Sequence, residues 1–509
     1  MLVSTALRTR AAALSAGRWP RVTAHATWVL LLSGWAVARI GRFGFHPTDQ
    51  GFTLALSWRL LHGEVPHRDV VSARPLGSAL LHTLDFLVPG PLFLVSTLIA
   101  MIELAVATIA LAVLVTGRPV RTWGPLLTGL VAAASLVNLH TFPLMAWHTI
   151  DGILLVACGW WALRAGLRSG EALPRYGGLF LLGMAAFTKQ SFVFAAAVTL
   201  TYLFTRHRLS ILDLLWTAAF PLAYGGFVAL SGGLRPMVEQ LGGAHGAWPQ
   251  RAFTVWEARE AMTTMLWAAG CIVAMFLLRR KESAVIPAVF TAVVAVLVVV
   301  QSDMLRAGDW GVVLLWVLIF TTAARWALDA RAPQGALAVV ALAVMSALSW
   351  GYDSPTLLGG TLALSVLCLL APQLPTCSPG PACGVAVAVV VLLGTSRLLV
   401  DAHDASPYRD RPQWELSASL GRIAPALNGL RTNPSTYRYI AKIEACVRAH
   451  PASRSRCCRT TPSSTRRWAC ATCSHWTGRC RSGLNGRRIT CGSFSGAWLS
   501  PGSRSNRRR

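Results

Sequence analysis

Thirteen apolar runs, most of them close to the length a helix needs to cross a bilayer, constrain this chain more than any other feature of its sequence. A hydrocarbon core is about 30 Å thick and takes about 20 apolar residues of helix to span. The runs fall near 26–40, 92–115, 124–142, 150–165, 176–188, 190–205, 211–230, 261–278, 284–300, 310–328, 335–350, 356–371 and 384–400. Several are short, and the pair at 176–205 is the weakest. Hydrophobic residues make up 54% of the chain and charged residues 13%, against about 25% charge in a soluble domain. The expected fold is an all-α polytopic membrane protein with about 13 transmembrane helices, a long first extracytoplasmic loop and a short outer C-terminal region.

The formal charge is nevertheless +26, which raises the question of nucleic-acid binding until the charge is located. Residues 451–509 hold 13 arginines, six of the 12 cysteines and no acid. This tail has no apolar period and no regular metal-ligand spacing. Three lysines against 44 arginines in the whole chain imply a GC-rich gene, and GC-rich DNA read out of frame yields strings of Arg, Ser, Cys, Pro and Trp. The tail therefore reads as frameshifted, with a disordered basic tail that binds anionic lipid or nucleic acid as the alternative.

The remaining excess follows the positive-inside rule. Arg8, Arg10, Arg18 and Arg21 precede the first run, so residues 1–25 are expected in the cytoplasm. A signal peptide ending at Ala36-Val-Ala38 is the competing reading and leaves the next loop on the same outer side. Alternate loops then carry Arg118 and Arg121; Arg164, Arg168 and Arg175; Arg206 and Arg208; Arg279, Arg280 and Lys281; Arg325 and Arg331. Residues 26–400 thus form the membrane domain, with the first outer loop at 42–90, an extracytoplasmic segment at 401–450 and the tail beyond. The charge is explained by orientation and by the tail, and no nucleic-acid partner is expected.

The unusual residues lie in the outer loops. The first holds His46-Pro-Thr-Asp49-Gln50, an amphipathic stretch from Phe52 to His62, then Arg68 and Arg74-Pro-Leu-Gly77, with His82 and Asp85 beyond. A carboxylate beside a basic loop at the membrane boundary offers a general base next to a site for a phosphate; a solvated loop is the plain alternative. Asp151 follows His148 and opens a later run, where a carboxylate faces a cavity or complements the helix dipole. Lys189-Gln190 interrupts some thirty apolar residues, on the side where the positive-inside rule does not call for a cation. His46, His62 and His67 lack zinc-site spacing, and no metal ligand set is assigned. Cys158, Cys271, Cys368, Cys377 and Cys383 imply no disulfide framework.

Asp49-Gln50, the Arg74-Pro-Leu-Gly77 run, Asp151 at the head of a span, and Gly178-Leu-Phe-Leu-Leu-Gly-Met-Ala-Ala-Phe-Thr-Lys189-Gln190 together resemble the type C (GT-C) integral-membrane glycosyltransferases. The likeness is to the branch of protein O-mannosyltransferases and lipid A aminoarabinose transferases, and it covers roughly residues 20–205. The resemblance implies a plasma-membrane enzyme that moves a sugar from a polyprenyl-phosphate donor to an acceptor hydroxyl at the outer face, with inversion. The acceptor would be an envelope glycan, lipid or protein. Asp49 would be the catalytic base. Gln50, Arg68, Arg74, Asp151, Lys189 and Gln190 would bind substrate, with Lys189 and Arg68 or Arg74 neutralising the leaving phosphate and Asp151 orienting acceptor or cation. Many members carry an acidic pair where this chain has Asp49-Gln50, so the resemblance leaves a divalent cation open and implies no other cofactor. Gln301-Ser-Asp303 with Asp309 is similar to a later loop motif, without the histidine expected near Gly311. An out-of-frame tail would truncate the outer C-terminal region and leave the enzyme inactive.

A secondary transporter or lipid flippase is the alternative class, and it should place ionisable residues mid-span in two related halves. A non-catalytic envelope scaffold is a third.

Overall fold

The computed structural model describes residues 19–45, 49–139, 145–242, 258–278, 310–348, 354–371, 381–405 and 410–449. His46, the run at 284–300, the Gln301–Asp309 stretch and the tail from 451 lie outside the described residues.

The protein is mostly helical. From the N-terminal side come α1 (Trp19–Ala36), α2 (Asp49–Leu61), the short α3 (Gly77–Leu81), α4 (Leu92–Thr116) and α5 (Pro125–Val137). The middle holds α6 (His148–Ser169), α7 (Ala172–Ala185), α8 (Val193–Thr205), α9 (Ile211–Leu230) and α10 (Leu234–Gly242). The rest are α11 (Ala258–Leu278), α12 (Trp310–Asp329), α13 (Gln334–Ala347), α14 (Gly359–Leu370), α15 (Pro381–Ala405) and α16 (Pro434–Ala449).

Five of these, α4, α6, α9, α12 and α15, are long and apolar enough to cross a membrane. The apolar runs at 124–142, 335–350 and 356–371 give shorter helices. α5, for example, has 13 residues and a length of about 20 Å. It stops at Asn138, whose amide is tied to Thr108 Oγ1 and Thr361 Oγ1 at 2.9 and 3.0 Å. α9 and α15 turn large apolar side chains outward, among them Leu215, Phe227, Leu230, Val390 and Leu393. Such faces suit hydrocarbon rather than water.

α4 and α6 end on Gly117 and Gly170, both in the left-handed conformation that closes a helix. α6 and α7 form the tightest hairpin. Gly159 and Gly178 face each other there, and a β-carbon on Gly178 would stand 2.5 Å from the Gly159 carbonyl oxygen. Small residues thus let two backbones touch. At the far end of this hairpin lie the arginines of the basic loops. Arg164 donates to Leu114 O at 2.6 Å, and Arg175 donates to Arg208 O and to Asp213, joining α7 to α9.

The segment 410–449 packs beside the first loop. A two-stranded antiparallel sheet pairs Ala418–Ser419 with Arg431–Thr432, and Phe43 bridges to Arg431. Phe45, Leu54 and Phe93 share one core cluster with Leu420, Leu427, Leu430 and Ile440. The amphipathic stretch of the first loop is helical, as its pattern predicts, and α2 is held between this cluster and a second one formed by Leu56, Val70, Leu76, Tyr224 and Val228.

Candidate functional site

Three segments distant in sequence meet at the end of the bundle where α6 begins. The Ser72–Gly77 loop lies on the turn between α7 and α8. Gly77 N–H donates to Phe187 O at 2.8 Å, and Gln190 Nε2 donates to Ala73 O at 3.2 Å. A β-carbon at Gly77 would stand 2.6 Å from that same carbonyl oxygen, so the approach needs glycine. The third segment is the first turn of α6, which carries His148 and Asp151.

The upper layer of the site is cationic. The Arg74 guanidinium lies 3.0 Å from the ring nitrogens of His148. Lys189 is 5% exposed; its Nζ donates to Ser346 O at 2.8 Å and sits 5.9 Å from the centre of the Phe192 ring. Burial, reinforced by the charge of Arg74, pushes the lysine pKa down to about 7. Burial also pulls Arg74 below its usual value, against the opposing attraction of Asp49. Asp49 is the first residue of α2 and half-buried, so a carboxylate stands at the edge of this layer.

The lower layer is acidic and more deeply buried. Asp151 has no exposed surface, accepts a short hydrogen bond from Ser78 Oγ, and meets His82 Nε2 at 3.2 Å. His82 Nδ1 is 2.9 Å from Asp85 Oδ2. Burial alone would lower the His82 pKa, but Asp151 and Asp85, helped by Glu103, hold it well above the usual imidazole value. Glu103 reaches in from α4, and one ligand atom each from His82, Glu103 and Asp151 lie within 4.8 Å of one another.

The structure therefore brings Arg74, Asp151, Lys189 and Gln190 together, with Asp49 beside them. It sends Arg68 and Gln50 elsewhere. Arg68 is exposed, pairs with Asp69 at 2.8 Å and donates to Ser231 O. Gln50 is buried against α4, its amide donating to Phe93 O at 2.9 Å and towards Thr97 Oγ1 at 3.3 Å. His62 and His67 are separated, one on Trp58 O and the other on Gln240. Glu103 escaped the sequence reading, although it is the single charge in the 92–115 run, a pattern that itself marks a functional candidate. His82, Asp85 and His148 were visible only as loop residues, and Ser78 carried no signal.

A cluster of Arg74, Lys189 and His148 can hold an anion such as a phosphate. A nearby carboxylate can take a proton, and the layer beneath offers donors for a cation. No family model, curated protein or solved structure matches the chain.

Proposed function

We propose that the chain is a polytopic membrane glycosyltransferase of the type C class, with about 13 spans. It would transfer a sugar from a polyprenyl-phosphate donor to an acceptor hydroxyl at the outer face of the plasma membrane. The observation that carries this reading is the convergence of Arg74, Lys189 and His148 beside Asp49, from segments up to 140 residues apart. Asp49 removes the acceptor proton as the hydroxyl oxygen attacks the anomeric carbon. The bond from that carbon to the phosphate oxygen breaks, and the charge that develops there meets Arg74 and Lys189. Inversion needs only one base and a good leaving group. A lipid donor also accounts for a site at the end of the bundle, where a phosphate can reach it with its chain in the bilayer.

Membranes carrying the full chain, supplied with polyprenyl-phosphate sugars, test the reading. Asp49→Asn should lower transfer by about 10²- to 10⁴-fold with unchanged protein level; retained transfer rejects the base. Glu103, midway along α4 and half-buried beside Asp151, favours a second reading, an ion-coupled transporter. Substrate uptake into vesicles without any consumption of donor would select it.

A further inference from the structure

Beneath the cationic layer, the His82–Asp85–Asp151–Glu103 group is ion-paired through His82 and also has the build of a metal site. Two carboxylates, buried Asp151 and half-buried Glu103, face each other. Asp151 is completely buried, and Glu103 Oε2 is shut off from solvent and receives no hydrogen bond. Two anions so placed repel strongly, and His82 pairs with Asp151 and Asp85 but gives Glu103 Oε2 no hydrogen bond. His82 contributes a nitrogen to the same spot, Nε2, while Nδ1 is taken by Asp85. A carboxylate behind a histidine, fixing its tautomer and ring orientation, is the usual support of a metal-ligating imidazole. Ser78 supports Asp151 in the same way.

Metal–ligand bonds of about 2.0 Å in a tetrahedron put neighbouring donor atoms about 3.3 Å apart; His82 Nε2 stands 3.2 Å from Asp151 Oδ1, and the Glu103 oxygen, within 4.8 Å of both, would close in on a bound cation. One imidazole nitrogen with two carboxylate oxygens matches zinc better than magnesium or calcium, which take more ligands and only oxygen.

We infer that His82, Glu103 and Asp151 bind one divalent first-row cation, zinc by preference, with Asp85 and Ser78 positioning the ligands. The two carboxylates neutralise the cation, and the fourth position is left for water. The cation takes the place that protons hold in its absence, so its binding releases them. This site does not depend on the reaction proposed above.

The test uses the full chain, purified into lipid nanodiscs. Its thiols are first alkylated, because the six cysteines after residue 450 would bind zinc on their own. Zinc is then titrated in competition with a chromophoric chelator, and melting is followed with and without the metal. The wild type should bind one equivalent and melt at a higher temperature when loaded. Glu103→Gln, which keeps the shape of the side chain, should bind about 10- to 100-fold more weakly, as should Asp85→Asn, which leaves every ligand in place. Neither variant should gain the full rise in melting temperature. A wild type that takes up no zinc overturns the assignment and leaves a proton shared between Glu103 and Asp151. Unchanged affinity in either variant overturns it too.

Discussion

The two ends of the α6–α7 hairpin bury charge in opposite ways. At the arginine end Asp213 is completely buried yet saturated: Arg175 donates to it twice, at 2.8 and 2.5 Å, and Ser210 N–H donates at 2.8 Å as half of a reciprocal helix cap. At the other end the pairing is unequal. Arg74 and Lys189 stand together above, and below them three carboxylates, Asp151, Glu103 and Asp85, share one imidazole, His82. Pairing opposite charges with matched hydrogen bonds is how a protein makes a buried ion tolerable. Leaving like charges with too few partners costs stability, and a ligand of the opposite sign offsets that cost. The first end is therefore built as architecture, and the second has the build of a candidate site.

Two substitutions test that contrast. The larger effect is expected from Arg74→Ala, which should lower sugar transfer by about 10²- to 10³-fold, the size of losing one charge-stabilising donor. Its melting temperature should hold or rise, because a like-charge neighbour of Lys189 is gone. A fall in both together would make Arg74 a structural residue. Asp213→Asn should do the reverse. It leaves Arg175 without its partner and should cost about 2 kcal/mol of stability, between the values for exposed and buried pairs. Transfer per folded molecule should stay at the wild-type level. Urea or thermal unfolding alongside the transfer assay reads both variants.

Much of the scaffold was legible because a 20-residue apolar run leaves a helix few alternatives, and α4, α6, α9, α12 and α15 coincide with such runs. Where helices stop was less legible. Asn138 ends α5 through hydrogen bonds to Thr108 and Thr361, residues on other helices, and no local signal carries that. The site was legible only as separate pieces. Asp151 and Lys189 each stood out as a charge at the edge of an apolar run, but their meeting with Arg74 depends on helix packing and on the Gly77–Phe187 contact. Gln50 misled for a simple geometric reason. Next to Asp49 in sequence, it is turned about 100° around α2 and faces Phe93 and Thr97 on α4.

The smallest expected effect separates the two layers by pH. Lys189 has its pKa lowered from 10.5 to about 7, so in the empty site its ammonium is present below about pH 7 and lost above. If that ammonium receives the leaving phosphate, kcat/KM for transfer should fall by up to about tenfold per pH unit above pH 7. Stability should move the other way. The unfolded lysine keeps its proton up to about pH 10.5 while the folded one has released it, so the unfolded state binds more protons between those values and stability rises with pH across that window. Lys189→Met should remove the rise in stability, and Lys189→Arg, whose guanidinium holds its proton far more firmly, should carry transfer to higher pH. An activity limb that Lys189→Arg leaves unmoved would assign the phosphate to Arg74 alone. Opposite slopes in activity and stability, both abolished at one residue, are what a cation buried for a ligand produces and what a cation buried for architecture does not.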